Sequence, residues 1–124
     1  MNYQNQKQKL NFKLKTLIIG IGPARCMTSW FADQLNLKSE VYIVPRKELC
    51  ILHKSHFDFN HYYKIISNNN TRSISMDYSV DYTVNISNVR KNCEKLKSKF
   101  NFKIKYIFFY KDPIKRFISH YWNL

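Results

Sequence analysis

The feature that most constrains the fold is a stretch in which an apolar strand passes through a tight turn into a helix. Residues 17–35 read LIIGIGPARCMTSWFADQL. The first residues are aliphatic and mostly β-branched, which is typical of a buried strand, and two glycines and a proline then end it. Thr28 and Ser29 stand at the expected start of a helix whose apolar face begins at Trp30. The sequence therefore predicts a strand–turn–helix unit here.

This turn is a candidate anion site. The first backbone N–H groups of a helix have no partner within it, and the helix dipole is positive there. Arg25 adds a permanent charge, and the hydroxyls of Thr28 and Ser29 can donate to phosphate oxygens. The patterns GxxxxGK[ST] and GxGxxG are both absent, because no Gly-Lys pair precedes the hydroxyls and Gly22 is the last glycine. We predict a phosphate-binding loop of another kind, with an ordinary helix cap as the structural alternative.

Composition limits the function classes. The 124 residues suffice for one domain, and 21 Lys and Arg against 8 Asp and Glu give a net charge of +13, which favours polyanionic partners. No apolar run approaches the roughly 20 residues of a membrane span, and no secretory signal is visible. Three widely spaced cysteines fit neither a disulfide framework nor a zinc site. We expect a cytoplasmic protein that binds no metal.

Strand-like and helical segments alternate along the chain. The predicted strands are residues 12–21, 41–44 and 103–110, with a brief strand or turn at residues 73–77. The predicted helices are residues 28–37, 57–66, 86–100 and 114–122. This alternation predicts an α/β fold with a parallel sheet and right-handed crossovers, in which ligands bind beyond the carboxyl ends of the strands. Residues 1–14 are expected to form a polar extension and residues 15–124 the domain. The apolar run from Tyr106 predicts that the last strand is central.

A second basic turn follows that last strand. Lys111 stands where the strand ends, Asp112 is the expected cap of the next helix, and Pro113 suits its first turn. Arg116 and Ser119 follow along the helix. Two basic turns at neighbouring strand ends predict a ligand that has two separated anionic groups.

Both turns resemble motifs of the sulfotransferase family. KTLIIGIGPARCMTSW is similar to the 5′-phosphosulfate loop, which is usually a strand followed by PKSGTTW or PRSGTTW. KYIFFYKDPIKRFISHY is similar to the 3′-phosphate motif, an apolar strand followed by RDPxxRxxSxY. Between them, RKELCILHKSHFDFNHYY resembles the KE-containing segment of the glycan-type branch, and SMDYSVDYT resembles its G-E-x-[ST]-P-x-Y segment. The residues of the second motif that keep their spacing are Asp112, Pro113, Arg116, Ser119 and Tyr121.

The resemblance implies a P-loop-like, three-layer α/β fold with a central parallel sheet, of which this chain would be the N-terminal part. It implies transfer of a sulfuryl group from 3′-phosphoadenosine 5′-phosphosulfate (PAPS) to a hydroxyl or amine of a glycan or small molecule. Arg25 would be the catalytic cation and Glu48 the general base, with His53 and His56 as alternative bases. The residues implied to bind the cofactor are Arg25, Cys26, Met27, Thr28, Ser29, Trp30, Lys111 and Ser119.

The chain departs from the family pattern in four places. Met27 replaces the glycine of the loop, and Lys111 replaces an arginine and loses its bidentate geometry. Asp77 replaces a glutamate, and Val80 stands near the position of the expected proline. The sequence ends at Leu124, whereas family members continue, so we expect a fragment or a reduced protein.

Two other functions stay open on the sequence alone. One is a non-catalytic remnant of the family that binds a nucleotide or a partner. The other is a small basic nucleic-acid-binding module, in which aromatic residues set among lysines stack on bases. The aromatic residues Phe57, Phe59, Tyr62 and Tyr63 fit either a sugar or phenol site or the core.

Overall fold

Four parallel strands form one sheet, and α-helices cover both of its faces. A computed structural model describes residues 14–22, 28–37, 40–44, 49–67 and 72–122. The strands are β1 (Thr16–Ile21), β2 (Val41–Ile43), β3 (Ile74–Ser79) and β4 (Lys103–Phe108). The helices are α1 (Thr28–Asn36), α2 (Phe59–Ile66), α3 (Ile86–Phe100) and α4 (Pro113–Tyr121), and a 3₁₀ helix, Val80–Thr83, follows β3. The predicted α/β class and parallel sheet are confirmed.

The strand order β2-β3-β1-β4 explains why helices lie on both faces. The chain moves two positions along the sheet from β1 to β2, and then moves in the opposite direction through β3 to β4. Right-handed crossovers in opposite directions place their helices on opposite faces. Accordingly α1 packs on one face, through Phe31 and Leu35, whereas α2 and α3 pack on the other.

The larger core lies between the sheet and helices α2 and α3. Every second residue of β1 points into it, and α3 contributes residues at helical spacing. Its fully buried members from these elements are Leu17, Ile19, Tyr62, Ile66, Val89, Cys93 and Leu96. Leu14 is also buried in this cluster, so the packed region begins before the boundary expected at residue 15.

Both ends of α3 are defined by asparagines. The Asn85 side chain accepts from the backbone N–H of Asn88 at 3.2 Å, which caps the helix at its N-terminus. At the other end Asn101 adopts a left-handed conformation with φ 53°, and its N–H donates to the carbonyl of Lys97. Asparagine tolerates this conformation better than most residues, which is why the helix ends where the sequence predicts.

Strand β4 lies at the edge of the sheet in the described part of the chain, so its predicted central position is wrong there. It pairs with β1 alone among the described strands. Lys103 and Lys105 are exposed, and Phe108 is 65% exposed. Tyr106 and Phe108 line an open groove of about 440 Å³ against α3. The apolar run therefore faces a helix and a groove, and hydrophobicity alone does not distinguish this from a strand paired on both sides.

None of the described helices is long and apolar enough to cross a lipid bilayer.

The segment before α2, residues 49–58, is held against the core by side chains of α3. The amide of Asn92 donates to the carbonyls of Leu52 and Lys54, each at 2.8 Å. The Asn88 amide donates to the carbonyl of His53 at 3.1 Å. The Leu52 bond is buried and the Lys54 bond is part-buried, and together these two bonds from Asn92 fix the path of the segment.

We expect Asn92→Ala to lower the free energy of unfolding by about 1–3 kcal/mol, because the buried carbonyl of Leu52 and the part-buried carbonyl of Lys54 lose their donor. The matched control is Lys91→Ala on the exposed side of the same helix, which should change it by less than about 0.5 kcal/mol. Urea unfolding followed by circular dichroism measures both. Equal effects of the two substitutions would contradict an anchoring role for Asn92.

Candidate functional site

The two segments that resemble the phosphate motifs meet at the carboxyl end of the sheet. Strands β1 and β4 are parallel neighbours, with Ile21 opposite Phe108 at their carboxyl ends. Beyond the strands the contact continues, since the Phe109 N–H donates to the Ile21 carbonyl at 2.8 Å. The turns after the two strands therefore start side by side, as the sequence predicted for its two basic turns.

Gly22 makes the approach of these two turns possible. A Cβ added at this residue would lie 2.7 Å from the Cβ of Phe109, closer than real side chains allow. On the other side, the Tyr78 hydroxyl donates to the Gly22 carbonyl at 3.3 Å. Gly22 thus lies between Phe109, which follows β4, and Tyr78 of β3, and a side chain at Gly22 would push these segments apart.

The first motif is described only in part. Helix α1 begins at Thr28, as predicted, so the backbone N–H groups of Thr28 and Ser29 belong to its first turn. The Trp30 side chain is 58% exposed. The remaining candidates of this motif and the predicted base lie outside the described residues: Arg25, Cys26, Met27 and Glu48.

The second motif is described completely, and its cap is confirmed. Asp112 precedes α4, and one of its carboxylate oxygens accepts from the N–H groups of Ile114 and Lys115, each at 3.0 Å. Pro113 takes the first helical position, where a missing N–H has no cost. The Asp-Pro pair therefore starts α4 immediately after β4 and fixes where the helix residues lie.

Helix α4 is inverted relative to an ordinary surface helix. Its polar residues Arg116 and Ser119 are half-buried, as is Lys111 before the helix. Its apolar residues are the exposed ones; Phe117, for example, is 70% exposed. A surface helix usually buries its apolar stripe. The polar side of α4 therefore faces the protein, which suits a ligand with anionic groups.

The charges at and before α4 also favour an anionic ligand. Within the described residues, neither Lys111 nor Arg116 forms a side-chain hydrogen bond or an ion pair. With no carboxylate partner in the described part of the chain, these two half-buried cations leave a positive potential beside the carboxyl end of β4. The arrangement can bind phosphate, by charge from Lys111 and by paired N–H groups from Arg116.

A buried polar cluster, which sequence reasoning did not identify, lies under the carboxyl end of β3. Asp77 is fully buried, and one of its carboxylate oxygens, Oδ2, accepts from the hydroxyls of Tyr62 at 2.7 Å and Tyr82 at 2.6 Å. Among the described residues its other oxygen, Oδ1, has no hydrogen-bond partner. We call Asp77, Tyr62 and Tyr82 the carboxylate cluster.

Burial controls the protonation of this cluster. Desolvation raises the pKa of Asp77 to about 6, although the two tyrosine hydroxyls lower it. Burial first, and then the Asp77 charge, raise the pKa of both Tyr62 and Tyr82 far above the ordinary value. The tyrosines therefore stay protonated and act as donors, and the carboxyl is the member that titrates near neutral pH.

The cluster also contacts the segment that follows the predicted base. The Tyr82 hydroxyl interacts with the backbone of Leu52 and Ile51. Nearby, the Cys50 thiol and the Ser79 hydroxyl are 3.2 Å apart. Residues 49–52 are therefore joined to the end of β3 as well as to α3.

The two alternative bases have different surroundings. The ring of His53 lies 6.2 Å from the ring of Tyr82, and its Nδ1 atom is buried without a hydrogen-bond partner among the described residues. His56 is exposed. Of the two, His53 is the one fixed beside the carboxylate cluster.

The aromatic residues considered for an acceptor site belong largely to the core. Tyr62 is fully buried, and Phe57 meets it edge-on with ring centroids 5.9 Å apart. The Phe57 and Phe59 rings are 4.3 Å apart, and Tyr63 stacks on Phe100 at 4.1 Å. Helical spacing in residues 57–66 reflects packing of α2 on the sheet and on α3.

No family model, curated protein or solved structure matches this chain.

Asp77→Asn is expected to raise the free energy of unfolding by about 2–3 kcal/mol near pH 7.5 and to change it little near pH 4. The Asp77 pKa is about 6 in the folded chain against an ordinary 3.8, so between these values the folded state binds more protons than the unfolded state. Stability therefore falls as pH rises through this window. Asparagine keeps an oxygen for both tyrosines and carries no charge.

Urea unfolding at both pH values measures this difference. The control is Asp33→Asn on the exposed side of α1, which should show no such pH dependence. If Asp77→Asn were destabilising near pH 7.5, the fold would stabilise the charged carboxylate rather than tolerate it.

Proposed function

We propose that this protein is a PAPS-dependent sulfotransferase that transfers a sulfuryl group to a hydroxyl or amine of a glycan or small molecule. The observation that carries the proposal is the side-by-side placement of the turns after β1 and β4. These are the segments that resemble the 5′-phosphosulfate loop and the 3′-phosphate motif. A nucleotide with phosphates on both sides of its ribose needs two anion sites near one another. Ligands of α/β folds bind beyond the carboxyl ends of the strands, where these two turns begin.

Each motif has a defined role in this proposal. The N-terminus of α1, with Thr28 and Ser29, binds the 5′-phosphosulfate of PAPS. Arg25 acts at the oxygen that bridges phosphorus and sulfur. Lys111 and Ser119 take the 3′-phosphate from the polar side of α4. The half-burial of both residues supports this role: Ser119 lies on the side of the helix that faces the protein, and Lys111 lies just before the helix.

The reaction is a single displacement at sulfur. The acceptor oxygen or nitrogen attacks the sulfur atom while the bond from sulfur to the bridging phosphate oxygen breaks. Glu48 takes the acceptor proton, and the electron pair of the broken bond stays on the leaving phosphate, which departs as part of adenosine 3′,5′-bisphosphate (PAP). Arg25 neutralises the negative charge that develops on the leaving oxygen. His53, beside the carboxylate cluster, is the alternative base.

The non-catalytic remnant is the second candidate, and the same two turns support it, since nucleotide binding does not require a base. The nucleic-acid module has less support. Phe57, Tyr62 and Tyr63 pack in or against the core rather than forming a stacking platform. The basic side of α3 exposes Lys91, Lys95 and further lysines and shows no exposed aromatic residue beside them.

Calorimetric titration with PAP, and with AMP as the control ligand, tests the proposal. We expect binding of PAP and at least tenfold weaker binding of AMP, because AMP lacks the 3′-phosphate; about 1.4 kcal/mol corresponds to a factor of ten. Arg25→Ala and Ser119→Ala should each weaken PAP binding about 10-fold or more, since each removes a phosphate contact. Lys97→Ala, an exposed cation on α3, is the matched control and should leave PAP binding unchanged.

The outcomes separate the candidates. PAP binding with sulfuryl transfer to a glycan or phenol acceptor supports the enzyme, and PAP binding without transfer, retained in Glu48→Gln, supports the remnant. Equal binding of PAP and AMP would contradict the enzyme, because the 3′-phosphate would then contribute nothing to affinity. Binding of RNA that weakens steeply with salt, without a preference for PAP, would favour the nucleic-acid module.

A further inference from the structure

The outward side of α4 is an exposed apolar stripe. The stripe occupies positions i, i+3, i+4 and i+7 of the helix, which lie on one face: Ile114, Phe117, Ile118 and Tyr121. Their exposed fractions are 70%, 70%, 50% and 62%, and Trp122, directly after the helix, is 78% exposed. We call these five residues the outer face of α4.

This face is too apolar to be ordinary surface. Single exposed apolar residues are common, but a contiguous group with three aromatic side chains marks an interaction site. Tyr110, in the turn before the helix, is 85% exposed and adds another aromatic ring close by in the chain. The other side of α4 holds the half-buried Arg116 and Ser119, so the helix cannot rotate to hide its apolar stripe without exposing the polar site.

A lysine and a histidine border the stripe. With 100° between successive residues, Lys115 projects on one flank of the outer face and His120 on the other, and both are exposed. The chain as a whole carries a net charge of +13. The surface therefore combines apolar and aromatic residues with positive charge, and its occupant must be apolar at the centre and anionic around it.

A second copy of the chain fits this description poorly. Two-fold pairing of the outer faces would join two chains that each carry a net charge of +13. Nucleic acid meets the charge requirement, and its bases can stack on Phe117, but it offers no aliphatic surface for Ile114 and Ile118. An anionic lipid bilayer meets both requirements.

We propose that the outer face of α4 docks on the surface of an anionic lipid bilayer, with the helix lying parallel to the membrane. Phe117 and Ile118 enter the boundary between headgroups and acyl chains, as in interfacial amphipathic helices. Tyr121 and Trp122 lie at headgroup level, where such rings are favoured. Lys115 reaches the anionic headgroups while its apolar stem stays along the lipid. The proposal is independent of the sulfotransferase proposal.

Vesicle binding tests the docking surface. The chain has two tryptophans, Trp30 and Trp122, so Trp30→Phe leaves Trp122 as the single fluorescent reporter. We expect this variant to partition at least about tenfold more strongly onto phosphatidylcholine vesicles that contain about 30% phosphatidylserine than onto pure phosphatidylcholine. Trp122 emission should shift to the blue, brominated acyl chains should quench it, and added salt should weaken binding.

The face is tested by substitution in the same background. Phe117→Ser combined with Ile118→Ser should reduce partitioning about tenfold or more, and both residues are exposed enough that circular dichroism should be unchanged. Val84→Ser is the matched control, because Val84 is 83% exposed in the turn before α3. It should bind vesicles like the parent.

Three results would overturn the proposal. The first is absence of binding to the anionic vesicles, and the second is equal binding by the double variant. The third is a dimer in the absence of lipid that the double variant converts to a monomer, since the outer face would then be covered by a second copy. Titration with PAP, carried out on the chain that keeps Trp30 with and without the Phe117 and Ile118 substitutions, reports the nucleotide site separately, so failure of docking is distinguished from failure of the proposed function.

Discussion

Strand β1 is paired along its whole length with β3 on one side and β4 on the other, and the candidate site depends on this double pairing. All six residues of β1 have a partner in each neighbour. The register places the end of β1 level with the ends of both strands, so three chain segments leave the sheet at the same edge. Gly22 then allows the turn after β1 to lie against Phe109. Without this pairing the two basic turns would be separate, and neither alone is more than a capped helix.

Burial of Asp77 lowers stability near neutral pH, but the hydrogen bonds of this residue and its neighbours join several elements. Strand β3 directs Ser75, Asp77 and Ser79 to the face that is otherwise packed with aliphatic and aromatic side chains. The Ser75 hydroxyl donates to the carbonyl of Ile66, and Asp77 is held by two tyrosines. Burial of a carboxyl whose pKa is raised has a cost near neutral pH. However, Ser75, Asp77 and Ser79 connect β3 to α2, to the 3₁₀ helix and to residues 49–52. Aliphatic side chains at these positions would not form these connections.

The inverted helix α4 connects the two proposals. Arg116 and Ser119 are half-buried because the polar side of the helix faces the protein, and this leaves Phe117 and its apolar neighbours outward. If the polar side of α4 binds an anionic ligand, the apolar side is left for another partner. Lys115 beside the apolar stripe, together with the positive charge of the chain, favours an anionic membrane as that partner. Nucleotide binding and membrane docking would then use opposite sides of one short helix.

The sequence by itself determined the local elements. Apolar periodicity located α3, β-branched and aromatic runs located β1 and β4, and the Asp112-Pro113 pair located the start of α4, because each of these signals acts within a few residues. The α/β class followed from their alternation. The motifs also predicted neighbouring basic turns, since parallel strands end at a common edge.

Only the tertiary structure decided which strands are neighbours and which side of each helix is buried. Periodicity shows that α4 is amphipathic but not that its polar side faces inward, and an apolar run in β4 does not reveal an edge position. The carboxylate cluster joins Tyr62, Asp77 and Tyr82 from three elements, and no local pattern links them. These features depend on contacts between residues far apart in the chain, where hydrogen bonding and burial, rather than local preference, set the free energy.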